Sequence, residues 1–465
     1  MLKHLTLLMV AVAALGVMGC TTYESSPLDP AAHRAAWLLR SPSDEAVQKF
    51  AAEVMAAGDS EASVFDADDG LSLGDAELVA LVYNPNLRLA RLRAGVATAT
   101  AEHAGRWDDP EFSIDVLRIT ESVANPWVIS PGLSITLPIS GRLAVEKDRA
   151  GAAMRAELER VGETEWDVRH EVRLAWLGWS AAELRERELG SLVESLNGLV
   201  DSTSRLAAAG EMVRTEAALF AIERAQRESE LRRLRGEIGE HELRLRSLMG
   251  LAPGAPVTLI PSLNLPGNGS LVVTTLNGNP SLARLRAGYE VAEQTLRREI
   301  RKQFPDLTIG PVYESDEGQS KIGLGGGIPI PILNSNAQGI AEAEAERELA
   351  RAMFETEYER LAGSMAEARA RASMLGEERA LMVEQVAPLI DRQLEDARRL
   401  LGLGEGGGLV LLESLVRAHD TKMRLIDVWH DEARAHATIS YLAGPATRIE
   451  STDDKSAEPA DEATP

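Results

Sequence analysis

The sequence predicts a mainly α-helical chain with a small β part, in which one structural plan is written twice. Three observations predict this. Ala, Leu, Glu and Arg dominate while aromatic residues make up only 4% of the chain, a composition suited to long helices that pack through small and aliphatic side chains. The stretch 143–209 contains no proline, and the stretch 337–403 contains only Pro388. Finally, NPNLRLARLRAG, beginning at Asn84, returns as NPSLARLRAG, beginning at Asn279.

With 465 residues the chain is long enough for two or three ordinary domains or one elongated structure. Its 49 basic and 72 acidic residues give a formal charge of −23, and the basic residues are scattered. A nucleic-acid partner is therefore not expected, because phosphate binding needs a concentrated cationic face. Cys20 is the single cysteine, so no intrachain disulfide can form. It ends MLKHLTLLMVAVAALGVMGC, which has a basic start and an apolar run from Leu5 to Met18. The run is too short for a membrane span and reads as a secretory signal over 1–19. Val17-Met18-Gly19-Cys20 resembles a bacterial lipobox, which implies lipidation of Cys20 after cleavage. Thr21 in place of an aspartate implies an outer-membrane destination.

Residues 20–74 hold Pro27, Pro30, Pro42 and an acidic run at 66–69. They are expected as a lipidated tether with one short helix over 44–55. The first repeat is expected over 75–250. Ser72 or Asp75 can cap a helix running to about Trp107, which Asp108-Asp109-Pro110 stops. EFSIDV and WVISPGLSITLPI then alternate apolar with polar or small residues around a turn at Ala124-Asn125-Pro126, the signature of a hairpin. Each arm approaches the ~9–11 residues that cross a bilayer. The proline-free stretch 143–209 extends roughly 100 Å as a helix. Within it Val168, Val172, Ala175, Trp179, Ala182, Glu186, Leu189, Val193, Leu196 and Val200 step by threes and fours. That is a coiled-coil seam in need of a partner helix, with only Glu186 out of character. Gly210 ends the run and permits a reversal. A return helix to about Met249 carries Leu231, Leu234, Ile238, Leu245 and Leu248 as its apolar positions.

A Pro/Gly-rich linker is expected over 251–275, and the plan then repeats over 276–445. Pro110 and Pro305 keep the offset of the two Asn-Pro pairs. DLTIGPVY and KIGLGGGIPIPI answer the first hairpin. The helix 337–403 answers 143–209, with a bend or interruption expected at Pro388. Gly404-Glu405 answers Gly210-Glu211, and Gly444 answers Gly250. Past 445 the chain is acidic and rich in Pro and Ala, and 446–465 is expected to be disordered.

Two hairpins supply four strands. In a membrane every backbone polar group must be paired, so the strands must belong to a closed barrel. Four strands cannot close one, since barrels begin at about eight. Two chains would supply eight and three would supply twelve. The alternative is a small soluble sheet capping a helical bundle.

Over roughly 75–445 the chain resembles the TolC-type outer-membrane efflux proteins. Asn84-Pro85 with Leu87 and Ala90, and Asn279-Pro280 with Leu282, are similar to that family's opening helices. The segment 329–339, Pro-Ile-Pro-Ile-Leu-Asn-Ser-Asn-Ala-Gln-Gly, resembles its lead from the second hairpin into the long helix, in a form like that of the metal-cation branch. Pro388 and the turn glycines Gly210 and Gly404 match as well. The resemblance implies a homotrimer in which four strands per chain build an outer-membrane β-barrel and the helical hairpins build a periplasmic α-barrel. It also implies a periplasmic adaptor and an inner-membrane pump as partners, outer-membrane lipid around the barrel, and passive conduction without a catalytic group. Gly210, Glu211, Gly404 and Glu405 are then candidate adaptor-contact tips. Glu413 is a candidate constriction residue, three copies of which would favour cations. Its bland reading is a solvated helix face. Trp107, Phe112 and Trp127 flank the first hairpin as interfacial aromatics do.

No enzyme is expected. The eight histidines form no HExxH, the lone cysteine belongs to no metal cluster, and no cofactor is implied beyond the covalent lipid. Gly323-Leu324-Gly325-Gly326-Gly327 lies in a strand pattern with no helix start after it, unlike a nucleotide loop. Two other classes of function stay open: an adaptor-like periplasmic lipoprotein without membrane strands, and a structural coiled-coil lipoprotein.

Overall fold

The computed structural model describes residues 22–56, 65, 69–124, 126–265, 276–316, 319–403 and 407–445. The lipidation candidate Cys20, the tip candidates Gly404 and Glu405, and the tail 446–465 lie outside them. In chain order the helices are α1 (Pro30–Leu38), α2 (Glu45–Ala56), α3 (Leu73–Tyr83) and α4 (Pro85–His103), followed by strands β1 (Glu111–Arg118) and β2 (Trp127–Leu137). The first long hairpin is α5 (Arg142–Ala209) and α6 (Arg214–Leu248). The second half holds α7 (Pro280–Arg301), β3 (Leu307–Asp316), β4 (Gln319–Gly327), α8 (Ala337–Leu381), α9 (Ala387–Gly402) and α10 (Gly408–Ala443).

The opening helix is two helices rather than one. Pro85 disfavours helical geometry at the residue before it, and Asn84 accordingly sits at φ −57°, ψ 127°. Ser72 and Asp75, both cap candidates, act together as a reciprocal capping box on α3. Asn84 caps α4: its Oδ1 accepts from the backbone of Asn86 and Leu87, while its Nδ2 donates to Leu248 O at 2.8 Å. Asn279 repeats this on α7, accepting from Ser281 and Leu282 and donating to Leu442 O at 2.9 Å. The duplicated Asn-Pro is thus a clamp that starts one helix and ties it to the end of the helical hairpin of the same repeat. Behind each clamp stands a glycine of positive φ, Gly250 or Gly444. A Cβ there would overlap the Tyr83 or Gly278 carbonyl oxygen, so both positions require glycine.

α5 is the spine. It packs against α3, α4, α6, α7 and α10. The expected seam is buried from Val168 through Val172, Ala175, Trp179, Ala182, Leu189 and Val193 to Leu196. Glu186, the misfit, is half-buried and pairs with Arg235 of α6 at 2.8 Å. The main core joins Trp176 and Trp179 to Leu231, Leu234 and Leu245 of α6. It also takes in Leu251, Leu263 and Leu265 from the described part of the expected linker, which is therefore a packed strap. Leu71 bridges that strap at Leu259. The N-terminal segment is docked too, since Trp37 Nε1 and Arg40 Nη1 both donate to Gly250 O.

Pro388 leaves the helix continuous. Met382–Val386 form a π-turn immediately before α9. Proline has no N–H for the carbonyl one turn back, and the wider turn absorbs that break in the ladder. At the junction between sheet and helices, Glu299 of α7 accepts from Arg298, Lys302 and Asn336. Burial raises the pKa of this carboxyl, but the Lys302, Asn336 and Arg298 hydrogen bonds outweigh it and hold it at about 2. A depressed carboxylate stabilises the fold above its ordinary value of 4.5 and loses that contribution as pH falls through its folded value. Acid titration should therefore show a loss of stability between pH 4.5 and about 2, and Glu299→Gln should flatten that limb in a chemical-denaturation series. An unchanged limb would remove Glu299 from the account.

Candidate functional site

The four strands form one antiparallel sheet in the order β1-β2-β3-β4. β1 pairs with β2 so that Ile114 faces Pro131 and Val116 faces Ile129, and β2 pairs with β3 so that Ile135 faces Ile309. β3 pairs with β4 so that Pro311 faces Leu324 and Tyr313 faces Ile322. Directly paired residues share a face and successive residues alternate. One face therefore gathers Phe112, Ile114, Val116, Ile129, Leu133, Ile135, Ile309, Tyr313, Ile322 and Leu324. The other gathers small and polar residues: Ser113, Asp115, Ser130, Gly132, Ser134, Thr136, Thr308, Gly310, Glu314, Lys321, Gly323 and Gly325. Leu117, Val128 and Val312 are its apolar exceptions.

The apolar face is bare. Phe112 is 62% exposed, Ile322 85% and Leu324 80%. The strands pack extensively on one another, and no helix makes an extended contact with them. β1 and β4 are open edges. In water this arrangement combines two liabilities, an uncovered apolar patch and unpaired strand edges. In a bilayer the first becomes an asset and the second a demand for neighbours. The 11 residues of β2, at about 3.3 Å per residue and a tilt near 45°, rise about 25 Å, the height of a barrel's apolar band. Trp127 stands at the far rim under the Arg118 guanidinium, and Phe112 stands at the helix end of the same face. Gly310 lies where β2 and β3 cross closely; a Cβ there would run into the Leu133 carbonyl oxygen.

At the opposite end, Gly210 adopts φ +79° and closes α5, with Glu211 N–H donating to Leu206 O at 2.9 Å. Glu211 is exposed. The first tip meets the start of α10, where Gly408 lies beside Met212, Glu216 and Phe220. Gly210 and Glu211 thus occupy a hairpin tip at the end remote from the sheet.

No protein-family model matches the chain, and no curated protein matches its sequence. Solved structures do match. OprN, an outer-membrane channel, superposes with a TM-score of 0.69 at 16% identity, over 91% of this chain and 98% of its own. VceC, an outer membrane protein of Vibrio cholerae, gives 0.68 at 16% identity, over 80% and 96%. CusC, whose crystal structures concern folding and transmembrane channel formation, gives 0.68 at 16% identity, over 80% and 92%. The chain has the outer-membrane channel fold.

Within this channel fold Glu413 lies on α10, exposed, and its Oε1 accepts from Arg417 Nη2 at 2.7 Å. It borders an open groove with Met382 and Val386 of the π-turn and with Val416, Arg417 and Asp420. Arg417 offsets its charge, which weakens the case for a carboxylate ring. Among the described residues, no cluster of His, Cys, Asp or Glu could hold a metal ion, and no helix is long and apolar enough to cross a membrane. Two structural devices were missed by reading residues one at a time: the asparagine clamps and the Glu299–Asn336 knot. The first was signalled by its own duplication. The second had no local signal, because its two halves come from separate elements.

Proposed function

We propose that the protein is the outer-membrane exit duct of a tripartite efflux pump. In this reading it is a homotrimer, lipid-anchored through Cys20, that passively conducts substrates delivered by a periplasmic adaptor and an inner-membrane pump. One observation carries the reading: the sheet's apolar face is uncovered and both its edges are open. A soluble cap on a helical bundle would bury that face against helices, and an adaptor-like or purely structural lipoprotein has no use for it. Three copies would supply twelve strands, with the apolar face toward lipid and the small polar face toward a lumen. The helices would continue the wall into the periplasm, placing Gly210 and Glu211, with Gly404 and Glu405 in the companion hairpin, against the adaptor. Segment 329–339 supports the metal-cation branch, which comparing host survival on metal salts and on drugs would test.

Purified lipidated protein should have the mass of a trimer in detergent and open ion conductances in planar bilayers. A monomer that never conducts would return the chain to the adaptor-like class. In conducting channels, Glu413→Gln should shift the reversal potential toward weaker cation preference. No shift would leave Glu413 as a solvated residue paired with Arg417.

A further inference from the structure

Of the second helical hairpin, α10 carries the extended contact with the spine α5. Imidazoles mark that contact at three levels. His419, His430 and Tyr441 recur every 11 residues, and Tyr441 stacks on His170 of α5 with ring centres 4.2 Å apart. Eleven steps of about 100° return to within about 20° of the start, so all three stand on one side of α10. The offset between Gly250 and Gly444 carries them onto Ala225, Gly236 and Ser247 of α6. The duplicated plan itself therefore does not call for these rings.

His419 is 5% exposed, and its Nδ1 is buried without a hydrogen-bond partner. Arg227 and Glu230 of α6, Glu188 of α5 and Asp420 of its own helix face it. All three carboxylates are already engaged. Arg227 holds Glu230 at 3.1 Å and Asp420 at 3.7 Å, and Lys422 holds Glu188 at 3.1 Å. A proton on His419 would add a buried cation beside Arg227 with no unengaged counter-charge among them. His170 repeats the arrangement. Its Nδ1 is buried and unpartnered, and Arg173 of α5 and Arg434 of α10 face it. Nearby, Glu77 is held by Arg173 and Asp167 accepts from the Tyr441 hydroxyl. His430, between the two, faces Arg185, Arg434 and Asp427, but Asp431 lies 3.4 Å from its Nδ1 and can receive its charge.

We propose that the contact between α10 and α5 is an acid-operated latch, in which protonation of His419 and His170 loosens α10 from the first helical hairpin. The latch stands apart from the channel reading. What else holds α10 there is modest. Leu415, Ile426, Ala433 and Ala437 enter the main core, and the Arg185–Asp427 and Lys422–Glu188 pairs are part-exposed, where such pairs contribute little. Burial, helped by the facing arginines, holds both imidazoles below the ordinary 6.5, His170 at about 4. Such a group stabilises the closed contact above 6.5 and withdraws that support as pH falls toward its folded value. For His170 the constant for parting rises about 30-fold from about pH 7.5 to about pH 5. That range lies above the Glu299 limb.

The test is amide hydrogen exchange of the full-length protein in detergent at about pH 7.5 and about pH 5, with labelling times scaled for the intrinsic rate. Protection of 411–422 and 434–443 should fall at the lower pH, by about 30-fold at 434–443, while 285–296 of α7 holds. His170→Gln should abolish the fall at 434–443, and His419→Gln the fall at 411–422. His103→Gln, exposed on α4, should change neither. Arg227→Gln keeps the His419 imidazole and releases Glu230 and Asp420 to receive its charge, so the fall at 411–422 should shrink there too. Equal protection at the two pH values overturns the latch. A fall that survives in the double variant His170→Gln, His419→Gln overturns it as well.

Discussion

Arginine at Ile114 and Leu324 is expected to keep the protein out of the outer membrane. Both side chains stand on the bare face of the sheet, on its two edge strands. A guanidinium presented to lipid near the bilayer centre costs about 2–4 kcal/mol per site. Among the described strand residues, none on that face is a carboxylate. Ser113→Arg and Gly323→Arg are the matched controls. Each lies one residue away on the opposite face, and a Cβ at Gly323 meets nothing. These two variants should assemble normally and only alter conductance. Density fractionation of membranes and the yield of oligomer resistant to unheated detergent would separate the outcomes. If the Ser113 and Gly323 variants failed while the Ile114 and Leu324 variants assembled, the lipid and lumen faces would have to be exchanged.

The second large effect is expected at the clamps. Asn279 is 3% exposed and does two jobs, capping α7 with its oxygen and binding the Leu442 carbonyl with its nitrogen. Asn279→Ala loses an N-cap worth about 1 kcal/mol and leaves a buried carbonyl unpaired at about 1–3 kcal/mol. A loss of about 2–4 kcal/mol is the expected total. Asn279→Asp separates the jobs, because a carboxylate still caps α7 but turns an oxygen toward Leu442 O. It should therefore be far from neutral despite its better helix-cap charge. Thermal denaturation of both variants, with the Asn84 pair beside them, measures this. An aspartate variant as stable as the parent would reduce the clamp to a cap.

Much of the architecture was legible because the chain is repetitive. The duplicated Asn-Pro exposed the repeat, although not the helix start at Pro85; Gly210 located the reversal, and strict alternation in EFSIDV and LSITLP located strands. Segments whose shape depends on distant partners were not legible. Nothing near Asn84 says that its amide reaches Leu248. Nothing near Leu263 says that a segment crowded with proline packs into a core beside Trp176 and Trp179. KIGLGGGIPIPI reads as one long strand, yet β4 ends at Gly327, because pairing is decided by the length of β3 as well as by local pattern. At Glu413 the sequence supplied an acid at a suggestive place, and the structure supplied Arg417, four residues on, as its companion.

The wide turn at Met382–Val386 also gives the two halves different phases. Each helical residue advances the azimuth by about 100°, so a turn holding one extra residue rotates everything after it relative to a straight continuation. Stepping by that angle along α8 therefore misplaces the faces of α9. A chimera with two first halves would lack this turn, because 143–209 has no proline. The two repeats of this chain are therefore not interchangeable.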